Sequence, residues 1–304
     1  MKIVLSGGTG FIGSALLKRL LEAGHTLVLP TRNPAKARSF AESRVILVQW
    51  DGRNLGVWAK EVDGADAVVN LAGEPVVGKR WTDEQKSQIL GSRVDATKAI
   101  VAAIEQASMR PSVLVNASAV GYYGHVASGD VTESHPRGRG FLADTCEQWE
   151  RAAREAEKLG VRVVSLRTGI VLEKDGGALS KMIPPFQMFA GGPLGSGRQW
   201  VPWIHRDDLI GIVLAALENK NLSGPVNATA PEPATMKAFC AALGRAMHRP
   251  SWAPVPAFVL RILLGESSEV LLTGQRAIPQ KLQASGYTFR YSNLDSALSA
   301  VFRR

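Results

Sequence analysis

Cysteine is scarce in this chain: Cys146 and Cys240 are the only two in 304 residues. Neither offers a metal-ligand spacing, no metal site is expected, and so low a count suits a reducing, cytoplasmic compartment. Long apolar runs are also missing. The run LIGIVLAAL (209–217) is too short to cross a bilayer, and the stretch 255–264 is broken by Arg261, so no membrane span is expected. The chain starts directly on a strand-prone run, which leaves no room for a signal peptide. Aromatic residues make up 7% and do not interleave with the basic ones. A formal charge of +9 raises nucleic acid as a partner, but the densest basic clusters are pairs such as Lys79–Arg80 and Arg303–Arg304. That is no stacking platform, and nucleic acid is not expected as a partner. Repeats and low-complexity tracts are absent too. What is present is 45% hydrophobic and 21% charged residues, enough for a packed core in one large domain plus a smaller one.

The stretch LSGGTGFIGS (5–14) stands between the β-prone KIVL (2–5) and an apolar periodicity of helical spacing at Phe11, Ile12, Ala15, Leu16, Leu20 and Ala23. A glycine-rich loop from strand to helix lets the backbone turn sharply and lets a pyrophosphate approach with no Cβ in the way. The helix start then offers unpaired N–H groups and the positive end of its dipole. Gly7, Thr9, Gly10, Phe11, Ile12 and Gly13 are therefore candidate cofactor contacts. A tight turn with no ligand is the competing reading.

After the second strand-like run, HTLVLPT, a carboxylate would bind the ribose 2′-hydroxyl of NAD. Thr31, Arg32 and Asn33 stand there instead, with Lys36 one turn on. With no carboxylate to repel a 2′-phosphate and a guanidinium to pair with it, the expected cofactor is NADP(H).

Strand-like runs recur at 2–5, 26–30, 45–49, 66–71, 112–117 and 161–167, with helical patterns at 11–23, 34–41, 83–107 and 141–159. Such alternation predicts an α/β fold, a doubly wound parallel sheet, with ligand at the carboxyl ends of the strands. Those ends carry Asp51, the NLAGEP segment with Leu71, Ala72 and Gly73, the NASAVGYYG segment (116–124), and RTGIVL with Val171. From about residue 172 the alternation stops. The segment PPFQMFAGGPLGSGRQWVPWIHRDDL reads as irregular, returning to a helix near Asp208. We divide the chain into a nucleotide-binding domain, 1–230, and a small C-terminal lobe, 231–304.

GGTGFIG, NLAG, a Ser before GYYG, RTGIVL and WIHRDDL together resemble the extended short-chain dehydrogenase/reductase group. The strings NLAGEP, KRWT, GSR, FLADTCEQWE, PWIH and LLTGQRAIPQKL are similar to its atypical epimerase-family subgroup, which ends in a small domain of undefined function. The resemblance covers nearly the whole chain and implies an NADP-binding Rossmann domain. It also implies a Tyr-x-x-x-Lys pair in which the lysine lowers the phenol's pKa. Here the pair is missing. Four positions after the tyrosines Tyr122, Tyr123, Tyr287 and Tyr291 stand Val126, Ala127, Tyr291 and Asp295, and Leu142 and Cys146 occupy the expected helix positions. Ser118 and Tyr122 match the family's strand-end Ser and Tyr and are the catalytic candidates, with a serine bonded only to local backbone as the alternative for Ser118. Arg93 stands where the group often has an Asn near the cofactor, so it contacts phosphate or ribose or forms a surface ion pair. His205 reads as a helix cap, and Cys146 as a small packed residue.

The resemblance implies an oxidoreductase or epimerase acting on an unidentified small polar, sugar-like substrate. A non-catalytic NADP(H)-binding, redox-responsive regulator is the alternative that the missing pair favours. The sequence leaves a homodimer open.

Overall fold

In the centre of the molecule the strands are apolar almost without interruption, as strands covered on both faces must be. The structure, a computed structural model, describes residues 1–40 and 42–303, the Lys36 side chain excepted. In chain order its elements are β1 (Lys2–Ser6), α1 (Phe11–Glu22), β2 (Thr26–Thr31), β3 (Val45–Gln49), β4 (Ala67–Asn70), α2 (Asp83–Gln106), β5 (Val113–Ala119), β6 (Asp130–Val131), α3 (Phe141–Arg154), β7 (Arg162–Thr168), β8 (Ile170–Leu172), α4 (Leu179–Gln187), β9 (Trp200–Val201), β10 (Trp203–His205), α5 (Arg206–Glu218) and β11 (Gly224–Ala228). The C-terminal part adds β12 (Ala234–Thr235), α6 (Met236–Met247), α7 (Ala257–Leu264), α8 (Glu269–Leu272), β13 (Arg276–Ala277), α9 (Gln280–Ala284) and α10 (Leu294–Arg303).

Seven parallel strands form one sheet in the order β11-β7-β5-β4-β1-β2-β3. The order reverses at β1, so the crevice between the loops after β1 and β4 is the topological switch point where such sheets bind ligands. Leu16, Leu20, Leu209, Ile212 and Val213 of α1 and α5 cover one face. Ala96, Ile100, Ile104 and Ala153 of α2 and α3 cover the other, with Trp50 and Trp58 closing its edge.

Four expectations differ from this structure. The helical pattern at 34–41 yields only a 3-10 turn, Lys36–Phe40, and Ala41 lies outside the described residues. The pattern at 141–159 is α-helical only to Arg154 and tightens into a 3-10 turn, Glu155–Leu159. The seventh strand, GPVNA, escapes pattern reading because it opens on Gly and Pro; Pro225 is tolerated because β11 is an edge strand. The stretch read as irregular opens inside α4, which runs on through Pro184 and Pro185 to Gln187, held by the burial of Leu179 and Phe186.

A third core joins Leu172, Leu179, Phe186, Val201 and Trp203 to Phe239, Leu243, Leu294, Leu298 and Val301, so its residues come from both sides of residue 230. The string GQRAIPQKL pins the C-terminal part to the sheet. Gln275 donates to Val120 O at 2.6 Å, β13 pairs with β6, and Asn227 donates to Ile278 O at 2.9 Å. No described helix is long and apolar enough to cross a membrane, and the described residues hold no metal-ligand cluster.

Candidate functional site

The loop after β1 assigns its glycines different tasks. Gly7 has φ +71°, and a Cβ there would stand 2.7 Å from the Leu71 carbonyl. A Cβ on Gly8 would meet Leu29 at 2.8 Å, and one on Gly13 would meet Gly7 O at 2.1 Å. Packing alone demands those three. At Gly10 a Cβ would meet only Gly7 O, at 3.2 Å, and otherwise open space. Gly10 is exposed beside Thr9 and caps α1 with no side-chain bond. The unpaired N–H groups of the first turn, at Phe11, Ile12 and Gly13, follow it, with no acidic residue to compete for them. This is an anion cradle at a helix N-terminus of the kind that fits a pyrophosphate.

On the β2 side, Thr31 Oγ1 accepts from Asn33 N at 3.3 Å, and Gln49 donates to Arg32 O at 3.0 Å. The Arg32 side chain is exposed and forms no ion pair among the described residues. The Lys36 side chain lies outside the description. Asp51 accepts from the N–H groups of Asn54 and Arg53, both at 2.8 Å, and from the Asn54 amide at 2.7 Å. The Asn54 bonds foremost, then that from Arg53, hold its pKa below the usual carboxylate value.

Across β1, a buried ladder of side chains sets the loop after β4. Ser6 donates to Asn70 at 2.6 Å, and Asn70 donates to Asn116 at 2.8 Å and to Thr97 at 2.9 Å. The N–H of Ala72 donates back to Asn70 at 3.2 Å, which turns Leu71, Ala72 and Gly73 along the crevice. Arg93 of α2 rises beneath this turn. Its Nη1 donates to Glu74 O at 2.9 Å and Ile89 O at 3.0 Å, and its guanidinium lies 5.1 Å from the Trp149 ring centre. Gly73 has no room for a Cβ without crowding that guanidinium, 3.1 Å away. Val171, on β8, is buried in the core beside Phe11, whose ring lies against Gly176.

At the end of β5 the structure differs from the family expectation. Ser118 is only 4% exposed, and its hydroxyl donates to Glu150 of α3 at 2.7 Å rather than to an open site. Glu150 also takes a two-pronged bond from Arg167 of β7, 2.8 Å on each arm. Arg167 donates further to Tyr123 OH at 3.0 Å and lies 3.4 Å from the Tyr122 ring centre. Burial alone would lower the Arg167 pKa; the bonds and charge of Glu150, with Tyr123, carry it above its ordinary value. Tyr122 and Tyr123 lie on a 3-10 turn, Val120–Tyr123. Tyr123 is buried and donates to Asn227 at 2.6 Å. Burial pushes its pKa up to about 12 against the pull of Arg167, and burial raises that of Tyr122 as well. The carboxylate of Glu147 adds to that rise. Neither phenol ionises at neutral pH, and the Ser118 hydroxyl is turned to a carboxylate. The Glu150–Arg167 pair escapes reading along the chain because its partners are 17 residues apart; the one available signal is a lone charge in the apolar run VVSLRT.

Leu142 and Cys146 do lie at the end of β5. A Cβ on Gly121 would stand 3.3 Å from Leu142 and 3.9 Å from the Cys146 sulfur. Burial pushes the pKa of the Cys146 thiol up to about 12. His205 caps α5 by accepting from Asp207 N at 3.1 Å.

The model of the NAD dependent epimerase/dehydratase family matches residues 3–228, and a domain of unknown function, DUF1731, matches residues 255–301. The chain belongs to the NAD dependent epimerase/dehydratase family. It is 44% identical, over its full length and 87% of the relative, to the chloroplastic epimerase family protein SDR39U1 homolog of Arabidopsis thaliana. It is 41% identical to the epimerase family protein YfhF of Bacillus subtilis, covering 99% of this chain and 98% of that one. The crystal structure of human epimerase family protein SDR39U1 with NADPH superposes with a TM-score of 0.89 at 34% identity, over 100% of this chain and 99% of that one.

In this family member a cavity of about 560 Å³ opens where the C-terminal part meets the starts of α2 and α3. Trp81, Lys86 and Phe141 line one side, and Arg261, Glu269 and Thr273 the other. Arg80 donates to Ile262 O at 2.6 Å, and Lys86 pairs with Glu266, which tie the two walls together. The wall nearest α3 starts at Phe141, next to Leu142, so the cavity adjoins the end of β5.

Proposed function

We propose that this protein binds NADP(H) across the switch point and is an oxidoreductase or epimerase acting on a small polar substrate. The observation that carries the reading is Gly10: three neighbouring glycines are required by packing, whereas at Gly10 nothing in the protein claims the open space. In this reading Gly7, Thr9, Gly10, Phe11, Ile12 and Gly13 hold the pyrophosphate. Thr31 and Arg32 take the 2′-phosphate, and Asp51, kept anionic, faces the adenine. Leu71, Ala72, Gly73, Arg93 and Val171 flank the nicotinamide half. Human SDR39U1, 34% identical and crystallised with NADPH, supports the choice of cofactor. The bound nicotinamide would supply hydride transfer. Ser118 and Tyr122, at the family's catalytic positions, act here as supports of the β5 end through Glu150 and Arg167. The cavity beside Phe141 receives the substrate, residues 231–304 form the lobe that completes it, and the reducing compartment is the cytoplasm. The word epimerase rests on the family alone.

A second reading, a redox-responsive NADP(H)-binding regulator, is favoured by one observation: the Tyr-x-x-x-Lys pair is missing, and burial raises the pKa of both phenols near β5. Calorimetric titration with NADPH and NADH, followed by a substrate screen at the nicotinamide absorbance, tests both. NADPH bound more tightly than NADH, with turnover of a polar carbonyl or alcohol, supports the enzyme. Equal affinity for the two cofactors overturns the 2′-phosphate assignment, and tight binding without turnover of any substrate supports the regulator.

A further inference from the structure

The extended family keeps its cation on the helix after β5, one turn beyond the tyrosine. Here that position is Cys146, a thiol held neutral by burial. A positive charge nevertheless reaches the same place from another element. Arg93 comes up from α2 between the ends of β4 and β5, against Gly73 on one side and towards Cys146 on the other. It forms no ion pair: among the described residues no carboxylate lies within ion-pairing distance, and Glu74, whose charge acts on it from farther off, pairs with Lys79 at 3.0 Å. Its Nη1 donates to two backbone carbonyls, which leaves Nε and Nη2 uncommitted. A half-buried guanidinium held by two carbonyls and the face of Trp149, with no ion pair, is an expensive arrangement for holding a loop, because a neutral donor would serve there without the desolvation cost.

We infer that Arg93 is a relocated charge that faces the nicotinamide half of the cofactor and makes this site prefer the reduced form. The inference rests on the NADP(H) reading above. The strand order supplies the direction. With the 2′-phosphate on Arg32 beyond β2, the dinucleotide crosses β1 at Gly10, and its other half falls over the ends of β4 and β5, where Arg93 stands. The oxidised nicotinamide carries a positive ring nitrogen and the reduced ring is neutral. A guanidinium with no ion pair therefore opposes the oxidised form and leaves the reduced form untouched. In the family pattern an ionisable tyrosine can offset the lysine charge. In this chain the two phenols near β5 stay protonated and Cys146 is neutral, so none of the three offsets Arg93, and Glu74, whose charge does act on it, is shared with Lys79. Two unit charges within about 10 Å in a half-buried site shift an equilibrium on the order of tenfold. A site so biased holds NADPH in preference to NADP⁺.

The test measures dissociation constants for NADPH, NADP⁺ and 2′,5′-ADP, which lacks the nicotinamide half, at one fixed ionic strength. The proteins are the unmodified chain, Arg93→Lys and Arg93→Gln. Glutamine retains an N–H donor for the loop carbonyls without the charge; lysine retains the charge. The expected result is a preference for NADPH over NADP⁺ of about tenfold in the unmodified chain, kept in Arg93→Lys and reduced to about one in Arg93→Gln. Affinity for 2′,5′-ADP should be the same in all three. A preference that survives in Arg93→Gln, or one lost equally in Arg93→Lys, makes Arg93 a loop brace and overturns the inference. Should Arg93→Gln fail to fold, equal binding of NADPH and NADP⁺ by the unmodified chain overturns it just as directly. If neither form nor 2′,5′-ADP binds the unmodified chain, the NADP(H) reading falls; if 2′,5′-ADP binds but both dinucleotides bind no better, only the placement of the nicotinamide half falls.

Discussion

The loop after β1 and the end of β5 stand two strands apart in one sheet, yet they are built in opposite ways. The β1 loop is shaped by the backbone: four glycines within seven residues, a positive φ at Gly7, and a helix start with its N–H groups free. The β5 end is shaped by side chains that come from far along the chain. Glu150, Arg167, Tyr123, Asn227 and Glu133 meet there from four elements and the loop after β6. A site made of backbone is exposed, polar and ready for an anion. A site made of long-range ion pairs is buried, rigid and closed to solvent, and it supports whatever binds beside it rather than binding it.

Removing the charge at the centre of the β5 network should have the largest effect. Arg167→Met leaves Glu150 buried, with Ser118 and a distant Arg154 as its remaining partners. Breaking one partner of a buried pair costs about 3–5 kcal/mol, so a urea melt should show a loss of that size. A variant as stable as the parent would mean that water reaches Glu150, and the contrast between a closed end and an open loop would fail.

Inside the β1 loop, two substitutions sharpen the contrast further. Gly13→Val drives a Cβ to 2.1 Å from Gly7 O and should destabilise the fold by about 1–3 kcal/mol or more. The Cβ of Gly10→Val meets one backbone oxygen at 3.2 Å, so its cost to the fold should be small beside that of Gly13→Val. The added side chain instead fills the pyrophosphate's approach. Loss of even one charge-assisted phosphate bond, about 1.5–3 kcal/mol, weakens NADPH by roughly 10- to 100-fold. Calorimetry and thermal melts on both variants separate the two tasks. Unchanged NADPH affinity in a folded Gly10→Val protein would reduce the loop to a turn.

These two regions also differ in how well they can be read from sequence. The loop was legible because each requirement is local: strand, glycines, helix and the lack of a carboxylate near Arg32 all fall within 36 residues. The six strand-like runs were legible for the same reason, since parallel buried strands declare themselves as apolar runs. The β5 end was not. Ser118 matched a family position, but its direction is decided by Glu150, 32 residues later, and no periodicity links the two. β11 was hidden because its burial comes from its neighbour β7 rather than from its own composition. Arg93 was singled out, yet its lack of an ion pair is a three-dimensional fact.

At the outer edge of the crevice, Arg32→Ala should leave stability unchanged, because the side chain is exposed and unpaired among the described residues. The preference for NADPH over NADH should fall by roughly 10- to 100-fold, the worth of one charge-assisted phosphate bond. Parallel titrations with both cofactors read this directly. A preference that persists in Arg32→Ala would move the 2′-phosphate contact to another residue.

Ser118→Ala carries the smallest expected effect, and it decides between support and chemistry at β5. The substitution removes one of three hydrogen bonds to Glu150 and leaves the two from Arg167. Because the remaining bonds are charge-assisted and the cavity is that of a single hydroxyl, the loss should be about 1 kcal/mol. A hydroxyl that serves only as a support leaves NADPH affinity and the pH dependence of any turnover as they were. One that hydrogen-bonds the reacting oxygen would lower kcat without moving the melting temperature, since its contribution would appear only when substrate is present. Measuring the melt, the NADPH affinity and kcat on the same preparation separates the two. A lowered kcat at unchanged stability would return Ser118 to the reacting centre and require its hydroxyl to turn away from Glu150 when substrate binds.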